Sequence, residues 1–300
     1  MSMLTSEIWQ VGIIKARIGE VAQQSALEEA QTRWLKAADS MCFLADPFGL
    51  WRDNRLYLFV EAYDYRTRHG HIEVYIFNES LELLDQRTVL KEPWHLSYPY
   101  VFEDAGEIWM LPEGYKSGQL SLYRAVDFPW RWERVEEFVF PTAAIDASLY
   151  RNEQGYWIFY TPPTPKPART SALMLAHADT LLGHWHNISQ QPIHVDRHGA
   201  RMGGTPFEKD GRLILPTQDC SDSYGGALTL LSLSSAQLDQ PTLQSAGRLE
   251  APASARPYTD GLHTLSAVGD QFTLIDTKRI VKGSPKRIGI DIRRKIKKHF

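Results

Sequence analysis

Acidic and amide side chains stand at the ends of five similar segments of the chain. Each segment is a short apolar run, a turn at Asn, Asp or Gly, and a second apolar run, which is the pattern of a β-hairpin. The start of the first strand and the end of the second lie at the same end of a hairpin. The side chains expected to converge there are Asp46, Glu61, Glu113, Asp146, Gln218 with Asp219, and Asp276.

Three of these acids fit the roles that chemistry on a glycosidic bond requires. One carboxyl must protonate the leaving oxygen, and a second must activate water or attack the sugar. We predict Glu113 as the acid and Asp46 as the base or nucleophile. Asp146 is predicted to set the pKa of the acid or to bind substrate, because a nearby negative charge raises the pKa of a carboxyl group. For any one acid taken alone, the alternative is a hydrogen-bonded residue at a strand end.

Further polar and aromatic residues fall beside the same hairpin ends and are predicted to bind the substrate. Arg201 suits an anionic or hydroxyl-rich group, and aromatic rings stack on flat ligands such as sugars. The predicted substrate-binding residues are Glu61, Trp94, His95, Tyr98, Arg201, Gln218, Asp219, His263, Asp276 and Lys278.

The elements that must position these residues form a repeat. The five segments end at residues 61, 113, 161, 218 and 276, so they recur roughly every 50–60 residues. Alternating strands lie between them, and a period of this length is typical of propeller blades. We therefore predict an all-β fold, a five-bladed β-propeller. A β-sandwich of irregular hairpins is the alternative.

The chain is predicted to have three parts. Residues 1–40 are expected to form a strand over residues 11–18 and a helix over residues 18–35, packed on the propeller. The propeller is expected to cover residues 41–280, and a basic amphipathic tail to cover residues 281–300.

The tail combines many cations with an apolar stripe. Ile288, Ile292, Ile296 and Phe300 are four residues apart, which on a helix gives one apolar face. Such a helix is expected to lie on an anionic membrane, giving peripheral contact at the inner face of the cytoplasmic membrane. A solvated tail, or a helix docked on the protein's own core, is the alternative.

Composition restricts the partners and the compartment. The 300 residues carry a net charge of −3, which argues against nucleic acid as a partner. Cys42 and Cys220 lie outside any CxxC or Cys/His cluster, so neither structural zinc nor a disulfide framework is expected. The N-terminus lacks the pattern of a signal peptide, and a cytoplasmic location is expected.

The chain resembles the five-bladed glycosidase superfamily of glycoside hydrolase families 43 and 32. It is more similar to the N-terminal domain family of plant glucosamine inositolphosphorylceramide transferases, which also occurs in bacterial surface-polysaccharide loci. The segments that carry the resemblance are residues 45–48, 95–103, 111–114, 122–125, 146–149, 183–185, 200–201, 218–219, 224–225 and 261–264. The resemblance implies a propeller with a sugar-sized central pocket and Asp46 as the general base or its counterpart.

The sequence departs from the hydrolase pattern in blade two. The hydrolases have an Asp before Pro where this chain has Tyr98, and they carry a Glu in blade three where this chain has Asp146. Glu113 is the candidate for the missing carboxyl. The resemblance also implies that His263 matches a channel histidine that helps to hold a metal ion in some hydrolases. No other cofactor is expected.

Together these features predict a carbohydrate-active enzyme. It is expected to transfer or hydrolyse glycosidic linkages in bacterial cell-surface polysaccharide biosynthesis, with a sugar or glycan substrate. A cytoplasmic address favours an activated sugar as the donor. The alternative is a noncatalytic glycan-binding or scaffold module associated with a membrane-bound glycosyltransferase system, which the missing acid of blade two favours.

Overall fold

The computed structural model describes residues 5–282 and 289–290, and this part of the chain is mostly antiparallel β-sheet. Five separate sheets of four or five strands make up the fold. They are the blades of the five-bladed β-propeller that the repeat predicted. Within the described residues, no helix has the length and apolarity needed to span a membrane.

Within residues 5–282, twenty-two strands form the blades, and two short α-helices lie between the first two strands. The N-terminal elements are β1 (Thr5–Ile14), α1 (Ile18–Val21), α2 (Gln24–Glu29) and β2 (Thr32–Leu35). Blade one contains β3 (Cys42–Arg52), β4 (Arg55–Asp64), β5 (His69–Asn78) and β6 (Leu83–Leu90). Blade two contains β7 (Ser97–Asp104), β8 (Glu107–Glu113), β9 (Tyr123–Asp127) and β10 (Arg131–Arg134).

The remaining strands continue in the same order. Blade three contains β11 (Ile145–Asn152), β12 (Gly155–Thr161), β13 (Ala172–Ala178), β14 (His186–Asn187) and β15 (His194–Val195). Blade four contains β16 (Arg201–Met202), β17 (Phe207–Lys209), β18 (Arg212–Asp219), β19 (Ala227–Leu233) and β20 (Gln244–Leu249). Blade five contains β21 (Leu265–Val268) and β22 (Phe272–Lys282) together with β1 and β2.

The hydrophobic core lies between the blades. One apolar cluster joins blades one to three, and others join blade three to four, four to five, and five to one. Strands such as β4 are buried along almost their whole length, because each blade packs a face against each neighbour. Burial between blades therefore leaves the ends of the strands as the places where polar side chains collect.

The N-terminal segment closes the ring, and here the structure differs from the expectation. β1 pairs with β22 from Thr5 opposite Lys282 to Ile14 opposite Thr273, and β2 pairs with β1. The segment expected to pack on the propeller thus supplies the two outer strands of blade five. The single helix expected over residues 18–35 is instead α1, α2 and β2, because pairing with β1 outweighs the weak local preference for helix.

The predicted tail over residues 281–300 lies almost entirely outside the described residues. Residues 281–282 are the end of β22. Lys278 and Arg279, which open the basic stretch of the sequence, are also strand residues paired with β1.

We expect Ile13→Ala in β1 to lower the free energy of unfolding by about 2–5 kcal/mol. Ile13 is 1% exposed and belongs to the cluster between blades five and one, so the substitution leaves a cavity in the core. Chemical denaturation of the variant measures the loss. Val139→Ala is the control, because Val139 is 70% exposed. Equal stability of the two variants would contradict a closing role for β1.

Candidate active site

The second strand of each hairpin ends at the same rim of the propeller, which we call the mouth. Glu61, Glu113 and Thr161 occupy the same place in blades one to three, each opposite the residue after which the pairing register of the innermost strand slips. Gln218, opposite Arg201, is their counterpart in blade four. Asp276 is their counterpart in blade five. We call these five residues the closing ring; all are buried, with at most 6% of their surface exposed.

The innermost strands of blades one to three carry a bulge at the same position. In β3 the pairing register slips between Ala45 and Phe48, and β7 and β11 slip equivalently. The first inserted residue is Asp46, Tyr98 or Asp146, with φ of 49°, 46° and 49°. Left-handed backbone is strained in residues other than glycine and concentrates at functional sites. The bulges thus place three equivalent side chains beside the closing ring.

Asp46 lies in a buried hydrogen-bonded group with Asp276 and His263. Asp276 accepts the backbone N–H groups of Asp46 at 2.9 Å, of His263 at 3.1 Å and of Thr264 at 2.9 Å. His263 Nδ1 is 2.8 Å from Asp276 Oδ1, and its Nε2 is 3.5 Å from Asp46 Oδ1. Asp46 also accepts the Thr264 hydroxyl at 3.3 Å and the Tyr98 backbone N–H at 3.2 Å. These bonds fix the orientation of the Asp46 carboxylate.

Asp146 is held by a cation and an amide from blade four. Arg201 Nε donates to Asp146 Oδ2 at 2.6 Å, and Gln218 Nε2 donates to the same oxygen at 2.8 Å. Arg201 Nη1 donates to the backbone carbonyl of Arg169 at 3.3 Å. Asp146 is therefore one half of a buried ion pair, and it is poorly placed to give or take a proton during reaction.

Glu113 and Glu61 complete the acidic group on the side of blade two. Glu113 accepts the Ser97 hydroxyl at 3.0 Å and the Tyr115 backbone N–H at 2.8 Å. Glu61 Oε1 lies 3.5 Å from His95 Nε2. Because His95 Nδ1 accepts the backbone N–H of Gly70 at 2.9 Å, a neutral His95 carries its hydrogen on Nε2, toward Glu61.

Burial and mutual repulsion favour the protonated form of the carboxyl groups in this cluster. Burial, together with the charge of Asp146, raises the pKa of Glu113 to about 7. Burial raises the pKa of Asp46 to about 6 although His263 opposes the shift. Burial, with the charge of Asp46, raises the pKa of Glu61 well above its ordinary value.

The two histidines of the cluster behave differently. Burial, with the positive charge of Lys116, lowers the pKa of His95 to about 4, so His95 is neutral at pH 7. Burial alone lowers the pKa of His263, but the charges of Asp276 and Asp46 outweigh it and raise the pKa above its ordinary value. The raised pKa favours the cationic form of His263 beside the Asp46 carboxylate.

Asp46, His263 and Asp276 are also close enough to be considered as metal ligands, since one atom from each lies within 4.8 Å of the others. The donor chemistry does not fit an ion held by all three. His263 Nδ1 is a hydrogen-bond donor to Asp276, and Asp276 already accepts three backbone N–H groups. The three side chains instead form a chain from Asp276 through the His263 ring to Asp46.

The Tyr98 side chain is buried against blades three and four. Its hydroxyl accepts the backbone N–H of Gly204 at 2.6 Å and lies 2.8 Å from Ser148 Oγ. The tyrosine at this position thus links blades two, three and four. Its backbone N–H, which binds Asp46, is its contribution to the site; the predicted contact of its ring with substrate stays a prediction.

Two other residues predicted to bind the substrate, Asp219 and Lys278, lie apart from the acidic cluster. Asp219 bonds to Ser221 and Arg248, because consecutive strand residues face opposite sides and Gln218 takes the inner one. Lys278 is fully buried and bonds to Glu7 and the carbonyl of Tyr224, so it ties β1 to a loop. Neither side chain is aimed at the mouth.

Trp94 is half-buried at the rim of blade two. Its indole Nε1 lies 3.2 Å from the position that a Cβ would take on Gly114, the residue after Glu113. Its predicted stacking on a sugar remains a prediction.

Two aromatic residues that support the site were missed. Trp9 of β1 stacks on His263 with ring centroids 3.8 Å apart. Tyr224 contacts the same imidazole edge-on at 5.5 Å, and the Arg201 guanidinium lies over its ring at 4.9 Å. Tyr224 lies in a segment that carried the resemblance, whereas Trp9 had no local signal, because only the closure of blade five brings it to the mouth.

Comparison with known proteins places these features in a family. The sequence model of the family described as glucosamine inositolphosphorylceramide transferase 1, N-terminal, matches residues 31–243. The glucosamine inositolphosphorylceramide transferase 1 of Arabidopsis thaliana is 30% identical over 257 residues, which are 80% of this chain and 33% of that protein. The protein of the same name from Oryza sativa subsp. indica is 37% identical over 201 residues, 64% of this chain and 26% of that protein. The chain thus spans about a third or less of the length of these relatives.

Solved structures share the fold at low identity. Zg3597, a family 117 glycoside hydrolase from Zobellia galactanivorans, has a TM-score of 0.57 at 12% identity, covering 90% of both chains. The RS223 β-xylosidase has a TM-score of 0.57 at 8% identity, covering 80% of this chain and 92% of its own. At these identities the likeness shows the propeller fold alone.

Proposed function

Because the chain belongs to the family of the N-terminal domain of glucosamine inositolphosphorylceramide transferase 1, we propose that it is a carbohydrate-active enzyme that transfers or hydrolyses glycosidic linkages at the mouth of the propeller. The observation that carries the proposal is a buried group of four carboxyls, Asp46, Glu61, Glu113 and Asp146, on one rim. The relatives are named as glucosamine inositolphosphorylceramide transferases, and the fold neighbour Zg3597 is a glycoside hydrolase. Both names support a sugar as the ligand.

Glu113 acts as the general acid. Its pKa of about 7 leaves a large fraction protonated at neutral pH, so it donates a proton to the leaving oxygen. Asp146, paired with Arg201, supplies the fixed negative charge that keeps the Glu113 proton in place.

Asp46 acts as the base or nucleophile. It is ionised above pH 6, and Thr264 and the Tyr98 N–H hold its carboxylate in one orientation. It takes a proton from the attacking hydroxyl or attacks the sugar itself. An acceptor hydroxyl at the mouth gives transfer, and water gives hydrolysis. His263, backed by Asp276, is a positioning residue that stabilises the charge of Asp46.

We expect kcat/KM to depend on pH as a bell with limbs near pH 6 and 7. Activity falls below pH 6 because Asp46 gains a proton, and it falls above pH 7 because Glu113 loses one. Since the carboxyls interact, each limb reports the titration of the cluster. Initial rates with alkyl glycosides, whose leaving oxygen needs a proton from the acid, measure the profile across this range. A rate that stays constant across the range would contradict these roles.

The second candidate is a noncatalytic glycan-binding module, which the placement of Tyr98 favours. A hydroxyl committed to Gly204 and Ser148 stands where the resembling hydrolases have an acid. Asp46→Asn and Glu113→Gln separate the two candidates. Loss of turnover with sugar affinity retained supports the enzyme, and full function of both variants in the cell supports the module.

We also propose a cytoplasmic role in cell-surface polysaccharide assembly, with peripheral membrane contact through the basic end of the chain. Sparse cysteines, both free thiols, support a reducing compartment. Flotation with liposomes of anionic lipid compares the full chain with a chain that ends at Gly283. Equal flotation of the two would contradict the membrane contact.

A further inference from the structure

Two buried polar atoms of the closing ring have no hydrogen-bond partner among the described residues. They are the hydroxyl oxygen of Thr161 and the side-chain carbonyl oxygen of Gln218. Both residues are fully buried. Buried polar atoms in folded proteins almost always have a partner, which is water, an ion or a ligand when the chain supplies none. These two atoms therefore call for a partner from outside the chain.

The orientation of the Gln218 amide is fixed by its surroundings. Its nitrogen donates to Asp146 Oδ2 at 2.8 Å and to the Met202 carbonyl at 2.7 Å. Both are acceptors, so the amide nitrogen must face them and the oxygen must face away. Gln218 Oε1 consequently offers only an acceptor, and its partner must donate a hydrogen.

Both residues are neighbours of Asp146, and this limits the charge of the missing partner. Gln218 contacts the Asp146 side chain, and Thr161 is the backbone partner of Ile145, the residue before Asp146. A carboxylate repels an anion, whereas Arg201, 2.6 Å from that carboxylate, repels a cation. The partner is therefore a neutral hydrogen-bond donor. A sugar hydroxyl is neutral, and it both donates and accepts hydrogen bonds.

We propose that Thr161, Gln218 and Asp146 form a hydroxyl-binding subsite of the mouth, between blades three and four, for a neutral sugar or cyclitol. One ligand hydroxyl donates to Gln218 Oε1, and the Thr161 hydroxyl exchanges a hydrogen bond with the same hydroxyl or its neighbour. The ligand class rests on the proposed function, but the hydroxyl requirement rests on the two unpartnered atoms.

The stability of the ligand-free protein tests the unpartnered state of Thr161. Thr161→Val removes a hydroxyl that bonds nothing in the chain, so the melting temperature should stay the same or rise. Thr217→Val is the matched control, because Thr217 is equally buried in the next blade and donates to the Thr229 carbonyl at 2.8 Å. The control should melt about 2–4 °C lower. An equal loss in Thr161→Val would mean that a trapped structural water completes the site, and would overturn the proposal.

Binding tests the ligand. Glucose, N-acetylglucosamine, xylose, arabinose and myo-inositol are titrated against the wild type, Thr161→Val and Thr217→Val by ligand-observed NMR. At least one of these compounds should bind the wild type. Its affinity for Thr161→Val should be about tenfold lower, and its affinity for Thr217→Val should equal that for the wild type. Removing one hydroxyl from that ligand should weaken wild-type binding by the same factor and leave binding to Thr161→Val unchanged.

Failure of the subsite and failure of the proposed function are distinguishable. If ligand binding depends on Thr161 but no substrate is turned over, the proposed enzyme activity is wrong and the subsite stands. If the protein turns over a substrate but Thr161→Val binds the ligand as tightly as the wild type, the subsite is wrong and the proposed enzyme activity stands. No binding of any of the five probes to the wild type would overturn the subsite.

Discussion

Glu113→Gln is expected to lower kcat/KM by about 10²–10⁴-fold at a pH near 6.5, the typical contribution of a general acid. The amide keeps an acceptor for the Tyr115 N–H but has no acidic proton to donate. The loss should be largest for substrates with alkyl leaving groups and small for 4-nitrophenyl glycosides, because a good leaving group needs little protonation.

Initial rates on both kinds of substrate measure the effect, with Glu103→Gln as the control. Glu103 is on β7 of the same blade but pairs with Arg52 at an exposed site. Its substitution should leave kcat/KM within about twofold of the wild type. A Glu113→Gln enzyme that loses the same factor on both kinds of leaving group would assign Glu113 to binding instead of proton transfer.

Arg201→Met is expected to lower the free energy of unfolding by about 3–5 kcal/mol. The substitution leaves the Asp146 carboxylate, 2% exposed, without its ion-pair partner among residues 5–282. Removing that charge as well, in Arg201→Met with Asp146→Asn, should recover most of the loss, because the penalty comes from an unpaired buried charge.

Denaturant unfolding of the single and double variants forms the test, and Arg52→Met is the control. Arg52 and Glu103 are both about half exposed, so breaking their ion pair should cost less than about 1 kcal/mol. If Arg201→Met is as stable as this control, or if the double variant is no more stable than the single one, Asp146 is not the buried half of an ion pair.

The blade repeat and its convergence could be predicted from sequence because both are local. A hairpin needs only two apolar runs and a turn, and its two ends meet at the same rim whatever the rest of the fold does. Hairpin geometry therefore predicts that Asp46, Glu61, Glu113 and Asp146 meet at one rim, and in the structure these carboxyls lie close enough to interact.

The closure of the ring and the direction of single side chains could not be predicted in the same way. The pairing of β1 with β22 joins the two ends of the chain, and no local pattern marks that partner. Asp219 and Gln218 are neighbours in sequence, yet only Gln218 reaches Asp146, since strand residues alternate in direction. The bulges that turn Tyr98 toward Gly204 depend on a left-handed backbone, which nothing in the residue types indicates.

The proposed acid and base chemistry depends most on the protonation states of the buried carboxyls, and these are measurable before a substrate is known. A pH titration by ¹³C NMR of side-chain-labelled Asp and Glu, assigned with Asp46→Asn, Glu61→Gln and Glu113→Gln, follows each group directly. The structure predicts that Glu113 titrates near pH 7 and Asp46 near pH 6. If both instead titrate at the ordinary value of about 4, the mouth holds no proton donor at neutral pH and the proposed acid chemistry is wrong.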